Sequence, residues 1–121
     1  MRLLALLALL FLFNTAYSQN KNRQVPSKVE LSGSIIDGDS NLSLEFATIS
    51  VYSDIDSSLV DGTLSDNLGN FTLNVSPGDY YLKIEFISYE SKIIDLETVS
   101  SAEKKKFIGR FNLFQESTVL D

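Results

Sequence analysis

The strongest constraint on this chain is an alternation of apolar and polar residues, with a period of two, that runs through most of its length. The alternation is clearest between Tyr80 and Ile87. Successive side chains of an extended strand point to opposite faces, so such a segment buries one face and leaves the other in water. Short segments rich in Ser, Asp, Asn, Gly and Pro separate the alternating stretches. The pattern predicts an all-β protein, a seven-stranded antiparallel β-sandwich.

The predicted strands can be placed from the apolar positions. They cover residues 28–35, 46–52, 59–64, 71–75, 80–87, 91–96 and 107–114. In the last strand, Phe107, Gly109, Phe111 and Leu113 are predicted to share the inward face. Residues 99–106 are the one segment that could form a helical turn, and Lys104–Lys106 within it are predicted to be a solvated loop.

The first 18 residues have the composition of a secretory signal peptide. A positively charged start precedes the apolar run Leu3–Phe13, and the small residues Ala16 and Ser18 predict cleavage before Gln19. The run is shorter than the ~20 residues of a membrane-spanning helix, so we expect cleavage rather than anchoring. The expected organisation is a signal peptide at 1–18, a flexible leader at 19–27, a β-sandwich at 28–115 and the start of a linker at 116–121.

Composition excludes several kinds of function. The chain has a formal net charge of −6, which gives no footprint for nucleic acid or an anionic membrane surface. It has no His, Cys or Trp, so it cannot form an imidazole–nucleophile pair, and zinc and copper lack their usual ligands. We therefore expect no enzymatic activity, no catalytic residue, no metal and no cofactor.

Aspartates are the remaining candidates for chemistry. Six of them lie in or beside predicted turns, where Asp commonly accepts hydrogen bonds from nearby backbone N–H groups. We expect that role rather than acid–base catalysis for Asp37, Asp39, Asp54, Asp56, Asp61 and Asp66.

A calcium loop is the best alternative for part of this set. Asp37, Asp39 and Asn41 have the spacing that begins such a loop. The match fails because Leu42 stands at the position of the sharp-turn Gly and Thr48 at that of the bidentate Glu.

Three tyrosines are the candidate ligand contacts. Tyr52, Tyr81 and Tyr89 could form a platform on which sugar rings stack. The alternative is that they cover sheet edges or form a tyrosine corner, in which the hydroxyl bonds to nearby backbone. Both interpretations stay open at this point.

Five segments, in order, resemble the motifs of carboxypeptidase-regulatory-like domains. They are residues 31–37 (LSGSIID), 44–51 (LEFATISV), 65–73 (SDNLGNFTL), 77–84 with 88–89 (PGDYYLKI and SY) and 108–113 (IGRFNL). Two positions depart from the family pattern. Ser88 replaces a Gly, so we expect a less tight bend, and Phe46 replaces a small residue or Pro, so we expect an exposed aromatic edge.

The resemblance implies a transthyretin-like (prealbumin-like, Ig-like) sandwich without an active site of its own. In Gram-negative envelope proteins such a domain often lies between the signal peptide and the plug and barrel of a TonB-dependent outer-membrane receptor. Residues 117–121 (STVLD) resemble the start of the segment that leads to the plug, so a fragment or a truncated product is one expectation for this chain, and a complete protein is the other.

The resemblance therefore implies a periplasmic or outer-membrane location, a role in nutrient uptake and contact with the plug, the barrel or the TonB system. Membrane association would come only through a barrel outside this sequence, and no nucleic acid would bind. Two alternatives are a free-standing secreted carbohydrate- or protein-binding module and an accessory domain of an exported metallocarboxypeptidase.

Overall fold

The computed structural model describes residues 27–117, and these form seven strands in two sheets. The strands are β1 (Val29–Asp37), β2 (Thr48–Ser53), β3 (Leu59–Leu64), β4 (Asn70–Val75), β5 (Tyr80–Glu85), β6 (Lys92–Asp95) and β7 (Lys105–Leu113). The expected signal peptide, nearly all of the expected leader and the last four residues of the expected linker lie outside the described residues. Within residues 27–117, no helix is long and apolar enough to cross a membrane.

The two sheets have the strand orders β4-β1-β7 and β3-β2-β5-β6. The predicted sandwich is confirmed, with one correction to its pairing. Every pair is antiparallel except β1 and β7, which are parallel. The reason lies in the connection: β7 comes after β6 of the opposite sheet, and a strand that crosses between sheets is free of the antiparallel direction that a hairpin imposes.

The core fills the space between the sheets with the side chains that the alternation predicted to face inward. The inward faces predicted for β1, β2 and β4 are confirmed, and Phe86 at the end of the predicted fifth strand is only partly buried. The largest fully buried aliphatic side chains of the core are Leu31, Ile35, Ile49, Leu73, Leu82, Ile84 and Leu113. Each contributes about 1.5–3 kcal/mol through the apolar surface it removes from water.

The inward face predicted for the last strand is wrong at Phe107, which is 68% exposed. The register of β7 against β1 shifts at this point, because Ser32 pairs with Phe107 while the next residue, Gly33, pairs with Gly109. Ile108 is thus the extra residue of a β-bulge, and Gly109 supplies the positive φ of 138° that goes with it. One inserted residue reverses the alternation, so Phe107 points outward while Phe111 and Leu113 pack inward.

The segment before β7 also differs from expectation. Residues 99–106 contain no helical turn: Val99 is buried and exchanges two backbone hydrogen bonds with Gly78. Lys105 and Lys106 are the first residues of β7 rather than part of a solvated loop, because β1 pairs with them and fixes them as strand.

The loops gather at the two ends of the sandwich. The far end, where the chain enters β1, carries residues 54–58, 76–79 and 96–104. The exit end, where β7 finishes, carries residues 38–47, 65–69, 86–91 and 114–117. Because β1 and β7 run in the same direction, the chain enters at one end and leaves at the other.

Candidate functional site

Several exposed apolar side chains lie at the exit end. Its loops expose Leu42, Phe46, Leu68, Ile87 and Phe114. Phe46 is 66% and Ile87 is 83% exposed. These two residues line a shallow groove of about 600 Å³, together with Glu45, Thr48, Glu85 and Phe86. Contiguous apolar surface of this kind is typical of contact with another molecule.

The backbone holds Phe46 in its outward position. The hydroxyl of the buried Ser65 accepts a hydrogen bond from the Ala47 N–H at 2.9 Å and donates one to the Leu44 carbonyl at 2.6 Å. The Phe46 N–H donates to the Ser65 carbonyl at 3.0 Å. Leu44 and Ala47 are buried on either side, so the residues between them turn outward. The expected aromatic edge is confirmed.

Phe46 adopts this position with a φ of 64°. The left-handed region costs a residue with a β-carbon about 1–2 kcal/mol, and a bulky residue there is uncommon. The three hydrogen bonds to Ser65 offset that cost.

The expectation of a less tight bend at Ser88 is wrong. Ser88 adopts a φ of 65°, the conformation that a glycine would favour. The Tyr89 N–H closes the turn by donating a hydrogen bond to the Phe86 carbonyl at 3.0 Å. The Ser88 carbonyl accepts a hydrogen bond from the Glu116 N–H. These neighbours impose the bend in spite of the side chain.

The segment after β7 is fastened to this bend. The Glu90 N–H donates to the Phe114 carbonyl, and the Glu116 N–H donates to the Ser88 carbonyl, both at 2.9 Å. Tyr89 and Gln115 form an antiparallel bridge. Residues 114–116 therefore continue beyond the last strand as a fixed extension of the sandwich.

Tyr89 connects the bend after β5, in the four-stranded sheet, to β1 of the three-stranded sheet. Its hydroxyl donates to the carboxylate of Asp37 at the end of β1, and its ring packs edge-on against Phe86 with centroids 5.2 Å apart. The bond lowers the pKa of Asp37, helped by the Ser40 and Asp39 amides, and raises the pKa of Tyr89. The contact therefore persists from below pH ~4 to above pH ~10, the ordinary values of the two groups.

Both carboxylate oxygens of Asp37, the first residue of the calcium pattern, accept hydrogen bonds from nearby residues. One carboxylate oxygen accepts from the Asp39 and Ser40 amides at 2.8 and 3.0 Å, and the other accepts from Tyr89. Asp56 and Asp66 also bond to amides of their own turns, which confirms the expected role at these three aspartates. Within residues 27–117, no three His, Cys, Asp or Glu side chains are grouped as metal ligands would be.

The structure brings together two of the three candidate tyrosines. Tyr52 on β2 and Tyr81 on β5 are paired across strands, and their rings stack with centroids 5.2 Å apart at 14°. They lie half-buried on the outer face of the four-stranded sheet, near the far end. Tyr89 lies beyond the other end of β5, about 13 Å or more along the strand direction. A ligand role for these tyrosines stays a prediction.

The tyrosine corner is formed by a residue that sequence reasoning did not select. Tyr80 is buried at the start of β5, and its hydroxyl donates to the Ser76 carbonyl at 2.6 Å. The turn at Pro77 and Gly78 could have indicated this contact. It reverses the chain just before β5, so a tyrosine at the start of that strand can bond to the backbone before the turn.

A second groove, of about 280 Å³, lies between the edges of β6 and β7. Ile94, Leu96 and Ile108 line it, and they are partly buried against the core. At one side the Lys106 ammonium lies 3.6 Å from the Glu97 carboxylate. This exposed ion pair contributes little to stability.

Comparison with solved structures supports the fold. The Bacillus anthracis TIE protein is 20% identical, with a TM-score of 0.55 over 73% of this chain and 17% of that protein. The 3-chlorocatechol 1,2-dioxygenase from Rhodococcus opacus 1CP is 13% identical, with a TM-score of 0.52 over 74% of this chain and 61% of that one. Shaft pilin SpaA from Lactobacillus rhamnosus GG is 13% identical, with a TM-score of 0.51 over 77% and 49%. The chain spans less than two thirds of each.

No protein of curated function matches the chain. The family model of the CarboxypepD_reg-like domain matches residues 31–118, which include all but the first two residues of the seven strands. The chain therefore belongs to the CarboxypepD_reg-like domain family, a non-catalytic type of β-sandwich module.

Proposed function

We propose that this domain is a positioning module in the N-terminal part of a TonB-dependent receptor, or a related outer-membrane β-barrel protein, of a Gram-negative bacterium. It acts in the periplasm during nutrient uptake. Its role is to hold the downstream polypeptide in a defined place and direction against the plug, the barrel or the TonB system.

The observation that carries this proposal is the fastening of the segment after β7. Two backbone hydrogen bonds join Phe114 and Glu116 to the bend at Ser88–Glu90, and Tyr89 joins that bend to Asp37. A flexible tether needs none of these contacts. A module that orients its downstream neighbour needs a rigid exit, and this arrangement provides one.

The genomic reading frame gives the first test. We expect it to continue past Asp121 into a plug and a series of amphipathic strands. A stop codon directly after Asp121, with no adjoining barrel frame, would contradict the proposal.

The rigid exit has a test of its own. Tyr89→Phe removes the hydroxyl that reaches Asp37 and keeps the ring. We expect the amides of Glu90 and Glu116 to exchange with solvent several-fold faster in this variant, since hydrogen bonds to charged groups stabilise more than neutral ones. Tyr81→Phe is the matched control, because Tyr81 lies away from the exit, and exchange at these amides should stay unchanged. Equal exchange in the two variants would count against a fastened exit.

The second candidate function is a free-standing binding module for a carbohydrate or a protein. It is favoured by the stacked pair Tyr52 and Tyr81 on an open sheet face. Because the two rings face each other, each has one face covered, and a sugar would contact their edges or outer faces. Affinity electrophoresis of the domain in polysaccharide gels, with Tyr52→Ala and Tyr81→Ala, tests this function. Unchanged mobility in every gel would remove the carbohydrate-binding form of this function.

A further inference from the structure

The loops at the exit end are acidic. They carry the exposed acidic residues Asp39, Glu45, Asp66, Glu90 and Glu116, and these four segments contain no Lys or Arg. Glu85, beside the groove, is paired with Lys83 at 3.0 Å. The apolar groove between Phe46 and Ile87 therefore has two carboxylates in its lining, Glu45 and Glu85, at an end whose loops contain no basic residue.

This charge pattern selects among possible occupants. A second copy of the chain would bring the same acidic loops to the interface, and like charges brought together oppose association. An anionic lipid surface or a nucleic acid would be repelled for the same reason. An apolar polypeptide flanked by Lys or Arg fits both parts of the surface, since it would bury Phe46 and Ile87 and pair with the acidic loops.

We infer that the groove at the exit end is a docking site for a polypeptide segment in which apolar side chains are interspersed with Lys or Arg. Phe46 and Ile87 are its apolar anchors, and Glu45 is a carboxylate in its lining. The inference goes beyond the proposed function, because it defines the chemistry of a partner and holds whether that partner belongs to the same polypeptide or to another.

The backbone supports the choice of Phe46 as an anchor. Phe46 adopts a positive φ, a strain that glycine at this position would remove. Ser65 fixes the flanking residues, so the backbone at Phe46 needs no further ordering when a partner binds.

The test uses the domain and two synthetic peptides. One alternates Leu and Phe with Lys, and the other has Glu in place of every Lys. We expect the Lys peptide to shift the amide resonances of Phe46, Ile87 and Glu90 in NMR titrations, and the Glu peptide to leave them in place. Glu45→Gln should weaken the Lys peptide several-fold, and added salt should do the same.

Substitution of the anchors locates the site. Phe46→Ser and Ile87→Ser should each weaken the Lys peptide about tenfold, the loss that corresponds to about 1.4 kcal/mol at one anchor. Ile55→Ser is the matched control, because Ile55 is 91% exposed in a far-end loop, and binding should not change. Equal binding of the Glu peptide, shifts centred on the far end, no binding of the Lys peptide, or self-association that Phe46→Ser abolishes would each overturn the inference.

Discussion

The loops at the two ends of the sandwich differ in how they cover the core. At the far end, Tyr80 bonds to the Ser76 carbonyl and Val99 exchanges two hydrogen bonds with Gly78, so the loops close over the core. At the exit end, three non-glycine residues with positive φ, Asn41, Phe46 and Ser88, accompany exposed apolar side chains. The far end has one such residue, Ser57.

This difference bears on the docking site proposed at the exit end. Local strain and exposed apolar surface are both unfavourable for an isolated domain, and both persist where the surrounding structure enforces them. Both features are more frequent at the exit end, where the docking site is proposed, although the far end also combines them at Ser57 and the exposed Ile55.

The largest expected effect comes from the core that the two ends share. Leu82→Ala should lower the free energy of unfolding by about 2–5 kcal/mol, because Leu82 is fully buried and its removal leaves a cavity. Chemical denaturation measures this loss. The exposed Val60→Ala should change stability by less than about 0.5 kcal/mol. Similar values for the two variants would mean that the inward face is assigned incorrectly.

A smaller effect is expected from the support of Phe46. Ser65→Ala should cost about 1–3 kcal/mol, because it leaves the buried Ala47 N–H and Leu44 carbonyl without their partner. Amide exchange should accelerate at the exit end first. Ser91→Ala, at an exposed serine of the same end, is the control. A uniform acceleration at both ends would show that the exit end has no separate stability.

The corresponding change at the far end is Tyr80→Phe. It removes one hydrogen bond, from the Tyr80 hydroxyl to the Ser76 carbonyl, and should cost about 0.5–1.5 kcal/mol. Thermal denaturation alongside Tyr81→Phe checks the value. If Tyr80→Phe proved as costly as Ser65→Ala, the two ends would be closed with equal strength.

The smallest effect is a stabilisation. Ser88→Gly should raise stability by about 0.5 kcal/mol, because the relief of a positive φ exceeds the entropy that glycine adds to the unfolded chain. Ser91→Gly, at a negative φ, should lower stability by a similar amount. A destabilised Ser88→Gly variant would show that the bend at the exit carries no strain.

The strands of the core could be predicted because their signal is local. The alternation in Phe71, Leu73 and Val75 lies within one strand, and its buried face follows from the pleat alone. The outward position of Phe107 could not be predicted, since the bulge depends on how β7 pairs with β1, and the sequence of β7 does not contain that register.

The candidate site could be predicted from the sequence only in part, for a related reason. Departures from the family pattern drew attention to Phe46 and Ser88 one at a time. Their grouping with Ile87 and the segment after β7 requires the topology, because these residues come from separate loops. The three tyrosines were grouped by residue type, and the structure separates Tyr89 from the other two.

The parallel pairing of β1 and β7 has a mechanical consequence. The first and last strands are neighbours, and each has nine residues. The start of β1 and the end of β7 therefore lie about 30 Å apart, at opposite ends of the domain. A pulling force between those termini acts along both strands and loads the hydrogen bonds between them in shear, many at once, instead of unzipping them singly. Placed in series within a longer polypeptide, the domain would transmit tension as a stiff link.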